Sequence, residues 1–242
     1  IRMTIERQAL VYDGPGGPFE GLTAMDSDWD SPRPGVMIVP NVLGAKEIDF
    51  VVAERIAALG YVALVADVYG QGNRATREDD APTRFMDAMN DDRPLLRDRL
   101  LASLAVLKGL DGVDPDQTAA IGYCFGGKSV LDLVRSGADV LGVVSFHGVY
   151  DRPSYANVET MTAKVLVCHG WTDFLAPPDV TVGLAEELSA GGADWQLHAY
   201  GDTGHGFTDP TAKGDSPGYG YHPDSDRRSW QAMENFLTEL FA

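Results

Sequence analysis

The feature that most restricts how this chain can fold is a set of short, almost wholly apolar runs, most of them followed by a segment of helical periodicity. Val36 to Pro40, Tyr61 to Asp67, Thr118 to Gly122, Leu141 to His147, Lys164 to Gly170 and Trp195 to Tyr200 read as strands. Helices are expected from about Lys46 to Leu59, closed by Gly60, and from about Pro94 to Leu110. Further helices are expected from Gly126 to about Arg135, from Pro178 to Ala190 and from Asp224 to Phe241. A strand that is apolar throughout is stable only where both of its faces are covered. The alternation therefore predicts an α/β fold, a mostly parallel, doubly wound sheet with helices on both faces. Val68 to Asp92 breaks the pattern, being rich in Gly, Asp and Arg and too polar for core. It is expected as a long loop with at most a short helix around Phe85 to Met89, of the kind that covers a site. With no internal repeat and 242 residues, 44% of them hydrophobic, one domain over 1–242 is the expectation.

Charge narrows the partners. Asp and Glu number 36 against 19 Lys and Arg, a formal net charge of −17. Such a surface repels both a nucleic-acid backbone and an anionic membrane leaflet, so neither is expected as a partner. Two cysteines make no disulfide framework in a chain of this size. Ile1-Arg2-Met3-Thr4 opens no leader-like apolar run, and no stretch reaches the roughly eighteen apolar residues of a membrane helix. The expected location is cytoplasmic.

In doubly wound sheets functional groups gather at the carboxyl ends of strands, and three such ends carry residues suited to chemistry. Gly122-Tyr123-Cys124-Phe125-Gly126-Gly127 lies between a strand and a helix. A nucleophile at the tip of such a turn sits in strained backbone, and the flanking glycines leave room for it. The helix N-terminus behind it favours thiolate, the reactive form of Cys124. His169-Gly170-Trp171-Thr172-Asp173 follows a second apolar strand and offers a carboxylate that can hold the tautomer of an imidazole. Gly204-His205-Gly206-Phe207 follows a third and places that imidazole on a glycine-flanked loop. The order nucleophile, acid, histidine is that of an α/β-hydrolase triad.

The cysteine turn together with the downstream His-Gly-x-x-Asp and Gly-His-Gly-Phe segments resembles the dienelactone hydrolases, a cysteine branch of the α/β-hydrolase superfamily, from about Val36 to the C-terminus. The resemblance implies cleavage of a small ester or lactone through an acyl-enzyme, with Cys124 as nucleophile, His205 as base and then acid, and Asp173 as its orienter. It implies neither metal nor cofactor. The oxyanion donors are expected to be the backbone N–H groups of Val42 and Phe125.

Two departures from the family bear on mechanism. Its lactonases carry a Glu that holds the resting cysteine and takes up its proton when substrate binds, at a position where this chain has Asn41. Asn accepts no proton, so Cys124 is expected to form a standing pair with His205. The lactonases also hold a substrate carboxylate with arginines, one of them four residues after the histidine, where this chain has Asp209. A neutral or weakly charged ester or lactone is therefore expected, with Arg77 or Arg84 as the remaining candidates to supply a cation.

Asn41, Tyr123, Trp171 and Phe207 are further candidates to line the pocket. Cys168, inside an apolar strand, reads as a small buried hydrophobe, and His147 and His169 as histidines that end strands and bond to groups of the site. A thioesterase or other carboxylesterase, or a silent scaffold that binds a ligand, are the alternative readings.

Overall fold

The computed structural model describes residues 4–29 and 31–242. Ile1-Arg2-Met3, at the start of the segment read above for a leader, lies outside them. The chain divides into two compact units, residues 1–120 and 121–242.

The first unit opens with a hairpin, β1 (Ile5–Tyr12) against β2 (Phe19–Asp26), paired antiparallel from Ile5 opposite Asp26 to Tyr12 opposite Phe19. Then follow β3 (Arg33–Val39), α1 (Glu47–Ala58), β4 (Val62–Val65), α2 (Arg84–Asp91) and α3 (Arg93–Lys108). The strands lie in the order β1-β2-β4-β3. β2 meets β4 antiparallel while β3 and β4 run parallel, so the sheet is mixed at this side. Val36 to Val39 and Val62 to Val65 are fully buried, as expected of strands covered on both faces. Each large aliphatic residue withdrawn from water in this way contributes about 1.5–3 kcal/mol.

Asp67, just past β4, is the hub that orders the start of the long loop. Its carboxylate accepts from the backbone N–H of Glu20, Tyr69 and Gly70 and lies 3.4 Å from the Arg74 guanidinium. Arg99 of α3 donates to the Val68 carbonyl at 2.8 Å. The 68–92 segment is thus pinned at its base, and its short helix is three residues longer than expected, spanning Arg84–Asp91.

β5 (Val113–Tyr123) carries the chain from the first unit into the second. There α4 (Phe125–Ser136), β6 (Gly142–Phe146), β7 (Lys164–Gly170), α5 (Pro178–Ala190), β8 (Trp195–Tyr200) and α6 (Pro223–Leu240) follow. β6, β7 and β8 are neighbours and all parallel, in register from Val143 beside Val165 and Val165 beside Trp195. α4 is buried along nearly its whole length, and Gly137 in the left-handed region ends it.

Burial on every side forces the polar groups of α4 to be matched. Its Arg135 donates to Glu187 of α5 at 3.0 and 2.9 Å, to Asp132 at 3.2 Å and to the carbonyls of Tyr150 and Asp151. This ionic cluster ties α4 to α5 and to the loop after β6. Removing either charge strands the other in the interior, which typically costs about 3–5 kcal/mol.

Candidate active site

Cys124, Asp173 and His205 all lie in the second unit, and the structure brings them together. Cys124 links β5 to α4 with φ 56° and ψ −113°, a conformation an L-residue adopts only under constraint. Two bonds impose it: the Cys124 N–H donates to the Phe146 carbonyl at 3.0 Å, and the Cys124 carbonyl accepts from Lys128 N–H at 3.1 Å. Gly122 shows how tight the turn is, since a Cβ there would collide with the backbone of Gly126. The turn leaves Cys124 partly exposed at the N-terminus of α4.

His205 stands on the loop after β8. Its Nε2 lies 3.0 Å from Cys124 Sγ, and its Nδ1 lies 2.8 Å from Asp173 Oδ2. The other carboxylate oxygen of Asp173 accepts from Leu175 N–H at 2.8 Å, so both oxygens are committed and the carboxylate cannot swing away. A strip around residue 219 holds the His205 loop. His205 N–H donates to Gly218 O at 2.6 Å, Gly220 N–H to His205 O at 3.0 Å, and His222 N–H to Phe207 O at 3.0 Å.

Electrostatics follow from the geometry. Burial works against charge on His205, but the adjacent Cys124 and Asp173 outweigh it and raise the imidazole to about 10. A protonated ring with Nδ1–H on Asp173 and Nε2–H on sulfur is the state this arrangement favours. His147, just past β6, is buried against the edge of that ring, with centroids 5.1 Å apart at 72°. Burial holds it well below the usual imidazole range, and the charge on His205 pushes the same way. His169 is buried too, with Nδ1 3.1 Å from Tyr150 OH and Nε2 3.2 Å from Thr181 Oγ1. The two bonds tie the end of β7 to α5 and to the loop after β6.

The other candidates divide between the units. Trp171 is exposed and lies two residues before Asp173. Tyr123 is mostly buried and stacks on Phe146 at 4.7 Å. Phe207 has no exposed surface; it packs edge-on to His147 and Tyr200 and so backs the site. Phe125 follows Cys124 as the first residue of α4. Asp209 is buried and turned into its own loop, accepting from Thr211 N–H and Oγ1 at 2.8 and 2.6 Å.

Asn41, Val42, Arg77 and Arg84 belong to the first unit. Asn41 Oδ1 accepts from Leu43 N–H and from Lys46 Nζ, both at 3.0 Å, and Val42 O accepts from Tyr69 OH at 3.1 Å. Arg84 pairs with Asp79 at 2.8 Å and lies over the Phe85 ring. Arg77 follows Thr76, whose hydroxyl donates to the same Asp79.

Two neighbours of His205 escape a reading of the sequence. Phe174, 57% exposed, sits edge-on to its ring at 6.5 Å, and Tyr219 lies nearly parallel to it at 6.5 Å. The signal for Phe174 is an aromatic beside the candidate acid. For Tyr219 it is the Gly218-Tyr219-Gly220 triplet, whose glycines both have positive φ. With Trp171 and Leu175, Phe174 forms an exposed apolar rim on the loop that carries Asp173.

A mostly parallel α/β sheet with a strained cysteine on a strand-to-helix turn and an imidazole from a later strand-end loop defines an α/β-hydrolase. The family model described as dienelactone hydrolase family matches residues 19–241, and the chain belongs to that family. It is a dienelactone hydrolase-like carboxylic ester hydrolase.

The chain is 32% identical to a solved structure described as a dienelactone hydrolase-like promiscuous phosphotriesterase from metagenomic libraries, with TM-score 0.92 over 98% of this chain and 99% of that one. An uncharacterized Caenorhabditis elegans protein is 35% identical over 150 residues, 61% of this chain and 95% of that protein. A Salmonella typhimurium protein provisionally named as a carboxymethylenebutenolidase is 24% identical over 95% of this chain and 91% of its own length. Among the described residues no helix is long and apolar enough to cross a membrane.

Proposed function

We propose that the chain cleaves a small neutral ester or lactone by a Cys-His-Asp triad through an acyl-enzyme, working as one catalytic domain in the cytoplasm. The observation that carries this reading is the continuous line from Asp173 Oδ2 through His205 to Cys124 Sγ, with steps of 2.8 and 3.0 Å. The Cys124 thiolate attacks the carbonyl carbon, and the oxyanion is held by the N–H group of Phe125, at the N-terminus of α4. His205, carrying the proton, gives it to the departing alkoxide. It then accepts a proton from water as the water attacks the thioester, and keeps it as Cys124 departs as thiolate, which restores the resting pair. Asp173 keeps the ring in the tautomer that points Nε2 at sulfur.

Two observations support a resting enzyme that is already activated and a substrate without a carboxylate. Asn41, standing where the family's lactonases have a proton-accepting Glu, spends its carbonyl oxygen on Leu43 and Lys46. Asp209, standing where they have an arginine, is folded into its own loop. The apolar rim of Trp171, Phe174 and Leu175 suits an uncharged acyl or alcohol group.

The test is hydrolysis of p-nitrophenyl acetate by the protein and by Cys124→Ala, with a parallel run on a dienelactone bearing a free carboxylate. A nitrophenol burst that disappears in the variant, and a preference for the neutral ester, are expected. Equal turnover by Cys124→Ala removes the thiol from the mechanism, and a strong preference for the dienelactone removes the proposed substrate class.

A second reading is favoured by the similarity to the phosphotriesterase named above. The same thiolate would displace p-nitrophenolate from a neutral phosphotriester, forming an S-phosphoryl enzyme that water then resolves. Release of nitrophenol from diethyl p-nitrophenyl phosphate, dependent on Cys124, is its check.

A further inference from the structure

Beside the proposed catalytic pair lies a second buried imidazole that the chemistry above does not use. His147 is 2% exposed and holds φ 37°, in the left-handed region that a branched or bulky residue avoids. Its backbone is pinned there because His147 N–H donates to the Cys168 carbonyl at 2.9 Å. The preceding carbonyl, of Phe146, is the one that holds the Cys124 N–H. At the ring, Nε2 lies 2.8 Å from Thr208 Oγ1, and Thr208 is three residues past His205 on the same loop. The buried Nδ1 has no hydrogen-bond partner among the described residues.

Left-handed backbone and a stranded ring nitrogen both carry a cost, and a phenyl ring would fill the space without the second. What a phenyl ring lacks is a bond to Thr208. Donation from Nε2–H to Thr208 leaves Nδ1 as the bare lone pair, so the ring is neutral. A cation there would bury an unpaired N–H and face a charged His205. The titratable groups around His147 are His205 on the loop after β8, bonded in turn to Cys124 and Asp173, and Tyr123 at the end of β5, whose ring is 6.1 Å away.

We propose that His147 is a positioning residue for the hydrolytic reaction: through Thr208 it fixes the loop that carries His205, and it holds the His205 ring edge-on so that Nε2 stays on the Cys124 sulfur. The inference rests on the reading of Cys124 and His205 given under Proposed function. His205 changes charge twice in each turnover, and a neutral, dipolar neighbour accommodates both states. The strained backbone is explained by the same demand, since the chain must turn at residue 147 to bring the ring under the His205 loop.

The test compares His147→Leu and Thr208→Val, which break the bond from its two sides, with His147→Gln and Thr208→Ser, which keep a donor or a hydroxyl in place. For each, kcat and KM on p-nitrophenyl acetate are measured, together with the pH midpoint of Cys124 carboxamidomethylation by iodoacetamide and the melting temperature. Displacement of a reacting group by an ångström costs about 10²-fold, so kcat is expected to fall by about ten- to a hundredfold in the first pair with KM nearly constant. The carboxamidomethylation midpoint should rise by about one pH unit as the imidazolium leaves the sulfur. The second pair should recover most of both.

Wild-type kcat and midpoint in both His147→Leu and Thr208→Val overturn the proposal. So does a kcat that follows the melting temperature with the midpoint unmoved, the mark of a packing role. Should His147→Leu not fold, Thr208→Val reads the same bond from the loop side. Activity surviving in Cys124→Ala is a different failure, of the underlying mechanism.

Discussion

The chain carries two thiols in opposite circumstances. Cys168 lies inside β7, wholly buried, and burial pushes it up to about 12; Tyr200 OH lies 3.9 Å from its sulfur. Cys124 stands at a strand end, partly exposed, in left-handed backbone, with an imidazole nitrogen 3.0 Å from its sulfur. The side chains are identical. On the proposed mechanism reactivity is conferred by position, because a strand interior buries a sulfur away from water and from any base. A strand end that turns into a helix offers N–H dipoles, space and access for a base.

The sharpest way to break that contrast is to remove each thiol in turn. Cys124→Ala should lose esterase kcat by about four orders of magnitude or more, while Cys168→Ala stays within about twofold. The two rates are read on the same p-nitrophenyl ester, and similar losses would erase the distinction. Next in size is Asp173→Asn, which leaves the shape but removes the charge that orients His205. A drop in kcat of about 10³-fold or more is expected, with KM little changed.

The pH profile sharpens the comparison further. His205 holds its proton up to about 10, above the ordinary imidazole value of 6.5. A raised value means that the imidazolium, with the stability it lends the pair, is fully present below 6.5 and lost as pH rises through about 10. After subtraction of the Cys124→Ala background, kcat/KM should therefore hold from neutrality and decline near pH 10. A decline centred near 6.5 would mean that sulfur and ring are not coupled. Iodoacetamide at neutral pH should label Cys124 in the folded protein and leave Cys168 untouched until denaturant is added, as peptide mass spectrometry would show. The smallest effect is on stability. Cys168→Ser buries a hydroxyl in β7 and should cost about 1–3 kcal/mol in urea unfolding, more than Cys124→Ser at the exposed turn.

Much of this arrangement is legible in the sequence, for a physical reason. β7, α5 and β8 fall on the expected residues because each is an apolar or periodic run bounded by Gly or Pro. Cys124, Asp173 and His205 stand out as polar residues set just beyond such runs. The hairpin of β1 and β2 is not legible. β1 is largely exposed and so shows no apolar run, and β2 buries Thr23 and Asp26 among its apolar positions, the carboxylate of Asp26 accepting from Thr4 N–H. α2 is legible in its middle, around Phe85 to Met89, but not at its ends, because Met89 is its one buried residue. In the site, His147 and His169 are visible as histidines that end strands. Their partners are not, since Thr208, Tyr150 and Thr181 reach them from segments 12 to 61 positions away. Phe174 and Tyr219 flank His205 through the same kind of distant contact.

The crowding at Gly122 has an evolutionary corollary. A side chain there would run into the Gly126 backbone, so Gly122 cannot be exchanged without dismantling the bend. The sulfur of residue 124 is partly exposed and meets His205, and a change from thiol to hydroxyl there alters the reagent while leaving the mount intact. On the proposed mechanism, descendants of this chain can trade thiol for hydroxyl in a single step but cannot move the residue that carries it.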